Sequence, residues 1–160
     1  MADLRIRPIK PGDADCVASL LATSWGSTIV VSRGAQHDAD QLPAFLAERD
    51  GEVVGLLTYA LHGDAMEVVT VDALERRVGV GSELLAAAVA AGRARGLRRV
   101  WLVTTNDNLD ALRFYQRRGM RIANVHRGAV DRARALKPSI PTVGEYGIEV
   151  HDEIELEFLL

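Results

Sequence analysis

An apolar run ending at Val71 passes through Gly79-x-Gly81 into Ser82-Glu83-Leu84-Leu85, where a helical pattern begins. The two glycines leave backbone N–H groups unhindered at a helix N-terminus, and such a place binds phosphate. This feature also constrains the fold. Arg98 to Thr105 reads as a buried strand, and a single helix separates it from the strand before the glycines, so the two strands are expected to run parallel.

Spacing separates the phosphate ligands that use turns of this kind. A nucleotide-hydrolysing P-loop needs a Lys and a Ser or Thr directly after its last glycine, whereas Ser82-Glu83 follow here. A dinucleotide fingerprint wants a small residue three positions after the second glycine and an acidic residue about twenty further on. Leu84 stands at the first of these positions, and Val100, Trp101 and Leu102 occupy the region of the second. ATP, GTP and NAD are therefore disfavoured.

The spacing Arg76-x-x-Gly79-x-Gly81 resembles the acyl-CoA pyrophosphate loop of the GNAT N-acetyltransferases. Asn108-x-x-Ala111-x-x-Phe114-Tyr115-x-x-x-Gly119-Met120 is similar to that family's second signature, in which an Asn precedes a helix that carries Phe-Tyr and ends at a glycine. Between the two motifs there is room for one helix and one strand. The resemblance implies an α+β fold over nearly the whole chain: a central, mostly antiparallel sheet with one splayed parallel strand pair, flanked by helices.

Length and charge agree with a single N-acetyltransferase domain over residues 1–160. With 48% apolar residues the chain buries a substantial core, and 19 basic against 22 acidic residues leave no general footprint for nucleic acid or an anionic membrane. No signal core or membrane-length apolar run is seen, so a soluble cytoplasmic protein is expected. The lone Cys16 has no partner for a disulfide or a zinc pair and is expected to pack in the first helix, which makes a covalent acetyl-enzyme unexpected.

The remaining pattern gives a strand from Leu4 to Ile9, a helix capped by Asp13 and running through Leu21, and a stretch from 24 to 40 without a clear period. Asp50-Gly51 and His62-Gly63-Asp64 divide residues 43–72 into three antiparallel strands. A helix after the glycines ends near Gly96, Asn106-Asp107-Asn108 caps the helix Leu109 to Arg118, and Arg121 to Val125 resumes a strand. Residues 127–147, with Pro138, Pro141, Gly144 and Gly147, read as a long irregular connection in which the Arg132 to Lys137 run is a solvent face. Glu153 to Leu160 reads as a closing strand with its acids on the surface.

By the resemblance, acetyl-CoA is the cosubstrate and no metal is needed. Backbone groups of Val69 and Val71 pair with pantetheine. The N–H groups from Arg77 through Val78, Gly79, Val80 and Gly81 to Ser82 hold the pyrophosphate, with Asn108 and Tyr115 on the other wall. Arg76 and Arg77 are secondary candidates, because backbone groups suffice for much of the phosphate binding and a solvated charge pair is an equal reading.

A phenol with pKa about 10 stays protonated at neutral pH, so Tyr115 is the candidate acid for the departing thiolate, the alternative being that it packs or bonds to CoA. Glu67 is the acidic side chain within the strand before the glycines. By strict alternation it shares a face with Val69 and Val71, as a base or as an anchor for the substrate ammonium. Trp25 and Tyr59 are candidates for the acceptor pocket.

The expected activity is acetyl transfer to a primary amine, of a small molecule or a peptide, by direct attack in a ternary complex. A CoA-binding regulatory module without turnover, or an interaction protein with a structural glycine loop, are the alternatives. The apolar face of the last strand makes a homodimer a further expectation.

Overall fold

The alternation from Leu4 to Ile9 gives strand β1 (Arg5–Pro8) in the computed structural model, which describes residues 3–74 and 79–160. It is followed by α1 (Ala14–Trp25), β2 (Ile29–Ser32), β3 (Ala35–Asp38), β4 (Ala44–Arg49), β5 (Glu52–His62) and β6 (Ala65–Ala73). Then come α2 (Val80–Ala94), β7 (Arg99–Thr105), α3 (Leu109–Arg117), β8 (Arg121–His126), α4 (Ala129–Leu136) and β9 (Glu153–Leu159). The chain forms two compact units. One holds residues up to Val30 with Asp38–Val100 and Leu160, and the other holds Val31–His37 with Trp101–Leu159.

In the first unit the strands lie in the order β1, β4, β5, β6, each antiparallel to the next. The β4–β5 turn places Asp50 and Gly51 at φ of 55° and 76°, which an Asp-Gly pair adopts at little cost and which suits the twist of a hairpin. At the far end, the N–H of Arg98 bonds to the carbonyl of Asp64 at 2.7 Å, and β7 starts beside β6 in the parallel sense. α2 supplies the crossover that such a pair requires.

The two faces of this sheet carry different partners. Leu46 and Leu56 meet Val17 and Leu21 of α1 together with Val30, Ala39 and Ala44, all buried. Each fully buried leucine contributes about 2 kcal/mol. On the opposite face, a Cβ at Gly55 would stand 2.5 Å from Val80, 2.9 Å from the carbonyl of Asp72 and 3.0 Å from Leu84, so only glycine lets α2 settle this closely on β5.

One irregularity matters for function. Thr58 pairs with Thr70 and Tyr59 with Val68, which leaves Val69 as the extra residue of a bulge in β6. Strict alternation therefore fails along this strand. Val71 lies opposite Leu57, on the face toward α2, while Glu67 lies opposite Ala60, on the face toward α1. The expectation that Glu67 and Val71 share a face is corrected by this one residue.

Asp13 precedes α1 as expected, but its side chain makes no cap bond to that helix. It accepts instead from the backbone N–H of Lys10 and from both terminal nitrogens of Arg7, whose Nε bonds to Glu48. Arg7 holds the Asp13 carboxyl well below the usual range, with the Lys10 bond a second cause. Cys16 is half-buried on α1.

In the second unit β7, β9 and β8 lie side by side. Three readings of the sequence are corrected here. Residues 127–147 are not wholly irregular, because Gly128 at φ 74° opens α4, which buries Ala129, Val130 and Ala133. Arg134 does not face solvent, since its guanidinium donates to the carbonyls of Ile140, Pro141 and Val150 and ties the connection to its own helix. Glu153 and Glu155 are not surface decoration, being only 5% exposed each. The first accepts from the backbone N–H of Arg33 at the tip of the β2–β3 turn, and the second bonds to His126 Nε2 at 2.9 Å.

Candidate functional site

In the first unit, chemistry gathers on the α1 face of β6. Glu67 is 2% exposed, and its Oε1 lies 3.0 Å from Nε2 of His62, itself an exposed residue at the end of β5. The hairpin geometry explains the pair. His62 stands opposite Ala65, so Glu67 is its diagonal neighbour on the same face, within reach of long side chains. Next along, the hydroxyls of Thr58 and Thr70 share a 2.7 Å bond, both fully buried. At the end of β6, the indole N–H of Trp25 donates to both oxygens of Asp72, at 3.0 and 2.8 Å. Burial pushes the Asp72 carboxyl up from its ordinary value, against the smaller opposing effect of the indole bond.

In the same unit a glycine opens the helix that follows β6. Gly79 is the N-cap of α2 at φ 76°, its carbonyl accepting from Glu83 N–H at 3.0 Å. Val80, Gly81 and Ser82 form the first turn of the helix, whose N–H groups point toward its N-terminal end. Gly81 is buried in that turn. Arg76, Arg77 and Val78 lie outside the described residues.

In the second unit, Asn108 is the N-cap of α3, and its side-chain oxygen accepts from Ala111 N–H at 3.2 Å. Asn108 therefore has a structural task that its type alone explains, since Asn is among the strongest N-caps. Tyr115, half-buried, meets Phe114 edge-on with ring centroids 5.3 Å apart, and Arg118 lies 4.0 Å above the Phe114 ring. The buried Asp107 beside the cap accepts from the N–H of Glu145, and the phenol of Tyr146 donates to Asp110. A strap from the β8–β9 connection thus holds the start of α3.

The sequence-derived candidates separate on this geometry. Glu67, Thr70 and Asp72 share the α1 face of β6, and half-buried Val69 packs against the apolar cluster on that face. Tyr59 is 6% exposed, stacks on Phe45 at 5.6 Å and lies on the opposite face from Glu67, so the first unit does not bring these two together. Trp25 is exposed at the C-terminal end of α1 and anchored by Asp72. Two residues were missed. His62 was read as a turn residue, although a histidine five positions before a glutamate across a two-residue hairpin loop is a legible diagonal pair. Asp72 carried no signal, because its face depends on the bulge.

A glycine-opened helix crossing between parallel strands of a mostly antiparallel sheet, beside a strand that buries a carboxylate, defines an acyltransferase arrangement. The chain belongs to the acetyltransferase (GNAT) family, whose profile matches residues 19–120. It is 36% identical over 143 residues to the uncharacterized protein YxbD of Bacillus subtilis, covering 89% of this chain and 90% of that one. It is 32% identical to the mycothiol acetyltransferase of Thermobispora bispora, over 72% of this chain but only 46% of that larger protein. In structure it resembles a GNAT family acetyltransferase from Elizabethkingia anophelis solved with acetyl-CoA bound, with a TM-score of 0.69 and 20% identity over 98% of both chains. That likeness is one of fold.

Proposed function

We propose that this chain is a cytoplasmic N-acetyltransferase of one catalytic domain that transfers acetyl from acetyl-CoA to a primary amine, of a small molecule or a peptide, by direct attack in a ternary complex. The observation that carries the reading is the presence, in one compact unit, of the glycine-opened start of α2 and the buried Glu67 on the strand leading to it. The first receives a pyrophosphate, since N–H groups at a helix N-terminus favour an anion. The second receives a proton. Acetyl-CoA supplies the activated acyl group when bound.

In this reading, backbone groups of Val69 and Val71 orient the pantetheine and the thioester. The bulge supports that role, because the extra residue in β6 is left out of the ladder to β5. Glu67 takes a proton from the substrate ammonium so that the amine attacks as a neutral nucleophile, and Tyr115 protonates the departing thiolate. Trp25, held by Asp72, is assigned to the acceptor side.

The test is a thermal shift of the protein with acetyl-CoA, CoA, NAD and ATP, repeated with Gly81→Glu. Stabilisation by the two CoA species alone, of about 2.7 kcal/mol at a hundredfold excess over Kd, is expected and is lost in the variant. Thiol release with primary amines then falls about 10²-fold in Tyr115→Phe. No shift at saturating acetyl-CoA overturns the reading.

A further inference from the structure

We propose that His62 is the proton exit of Glu67, carrying to solvent the proton that the carboxylate takes from the acceptor amine. The inference rests on the reading of Glu67 as the base. The balance of the reaction makes an exit necessary. An alkylammonium and a thioester give an amide, a thiol and one free proton; the C–N bond forms, the C–S bond breaks, the thiolate keeps one proton and the other must leave the protein at every turnover.

Glu67 is poorly placed to release that proton directly, because the residue is 2% exposed, and on its own face Ala60 opposite it and Thr70 beyond it are buried as well. His62 bridges the gap. One ring nitrogen lies 3.0 Å from the carboxylate, while the side chain as a whole is 49% exposed. An imidazole accepts a proton at one nitrogen and releases one from the other, and it does so near neutral pH where neither a carboxylate nor an amide does. The diagonal register of the hairpin fixes this contact, with the Gly63-Asp64 turn holding His62 opposite Ala65. The exposed imidazole is thus built into the same two strands that carry the base.

The experiment compares wild type, His62→Gln and Glu67→Gln, using whichever primary amine among n-butylamine, a diaminoalkane and a lysine peptide gives the fastest thiol release. Rates are read in dilute buffer and again with added imidazole, corrected for the enzyme-free reaction. Glutamine keeps a hydrogen bond to Glu67 but cannot take up and release a proton near neutral pH, so kcat of His62→Gln falls about 10-fold in dilute buffer and is restored by imidazole. Glu67→Gln loses about 10²-fold or more and is not restored.

A His62→Gln rate that equals wild type, or that stays low in imidazole, overturns the exit and leaves the base intact. A Glu67→Gln rate equal to wild type, or no thiol release by wild type with any of the amines, overturns the base reading and the exit with it.

Discussion

β6 and β9 both bury glutamates, yet they surround them differently. Glu67 meets a half-exposed imidazole, whereas Glu153 accepts from the main chain of Arg33 and Glu155 from His126, a side chain only 18% exposed. A carboxylate held by a backbone N–H or by a largely enclosed side chain is fixed in place. One that borders solvent through a titratable ring can exchange its proton. The difference teaches that burial alone does not mark a base, and that the partner decides what the buried charge is for.

The contrast breaks most sharply under substitution. Glu67→Gln is expected to lower kcat about 10²-fold or more while the melting temperature stays near that of wild type, since an isosteric amide retains bonding capacity. Parallel kinetics and calorimetry check both halves. In β9 the effect is expected to fall on stability instead. His126→Ala removes a partner of a carboxylate that remains buried, a loss of about 1–2 kcal/mol, and urea unfolding reads it as a lower midpoint at unchanged slope. A His126→Ala protein as stable as wild type would show that β9 does not use its acids structurally.

A smaller, pH-dependent effect sharpens the picture at the end of β6. Asp72 has a raised pKa, so the folded protein holds a proton that the unfolded chain releases. Stability is therefore lost as pH rises from the ordinary Asp value near 3.9 through the raised one, and the full cost is present above the raised one. Asp72→Asn removes the charge and keeps an oxygen for the Trp25 indole. Its melting temperature is expected to exceed that of wild type at pH 7, with the gap closing toward pH 4. An equal gap at both values would assign the effect to packing.

How far the residues announced this molecule differs along the chain. The strands β4, β5 and β6 were legible because Asp50-Gly51 and His62-Gly63-Asp64 punctuate long apolar runs. The start of α2 was legible because glycine spacing has few uses. α4 was hidden by the prolines after it, and by arginines that suggest solvent although Arg134 turns inward to three carbonyls. The burial of Glu153 and Glu155 was hidden because their partners, Arg33 and His126, come from distant segments whose approach no local pattern encodes. Within the candidate site, Glu67 stood out by type. Its face did not, because Val68, Val69, Thr70 and Val71 are all β-branched and nothing among them marks the residue that leaves the ladder.

That extra residue acts as a parity bit for the whole strand. Deleting Val69 would remove the bulge and leave Glu67 opposite Ala60 on the α1 side, whereas keeping it in a regular ladder, with the glycine end held in place, would turn Glu67 to the α2 side. Two chains aligned here without a gap, one bulged and one regular, would share every acid and every glycine, yet present the acid to opposite sides of the sheet. Whether the ladder leaves out a residue, and not residue type or count alone, therefore decides which relatives keep a carboxylate where this one does.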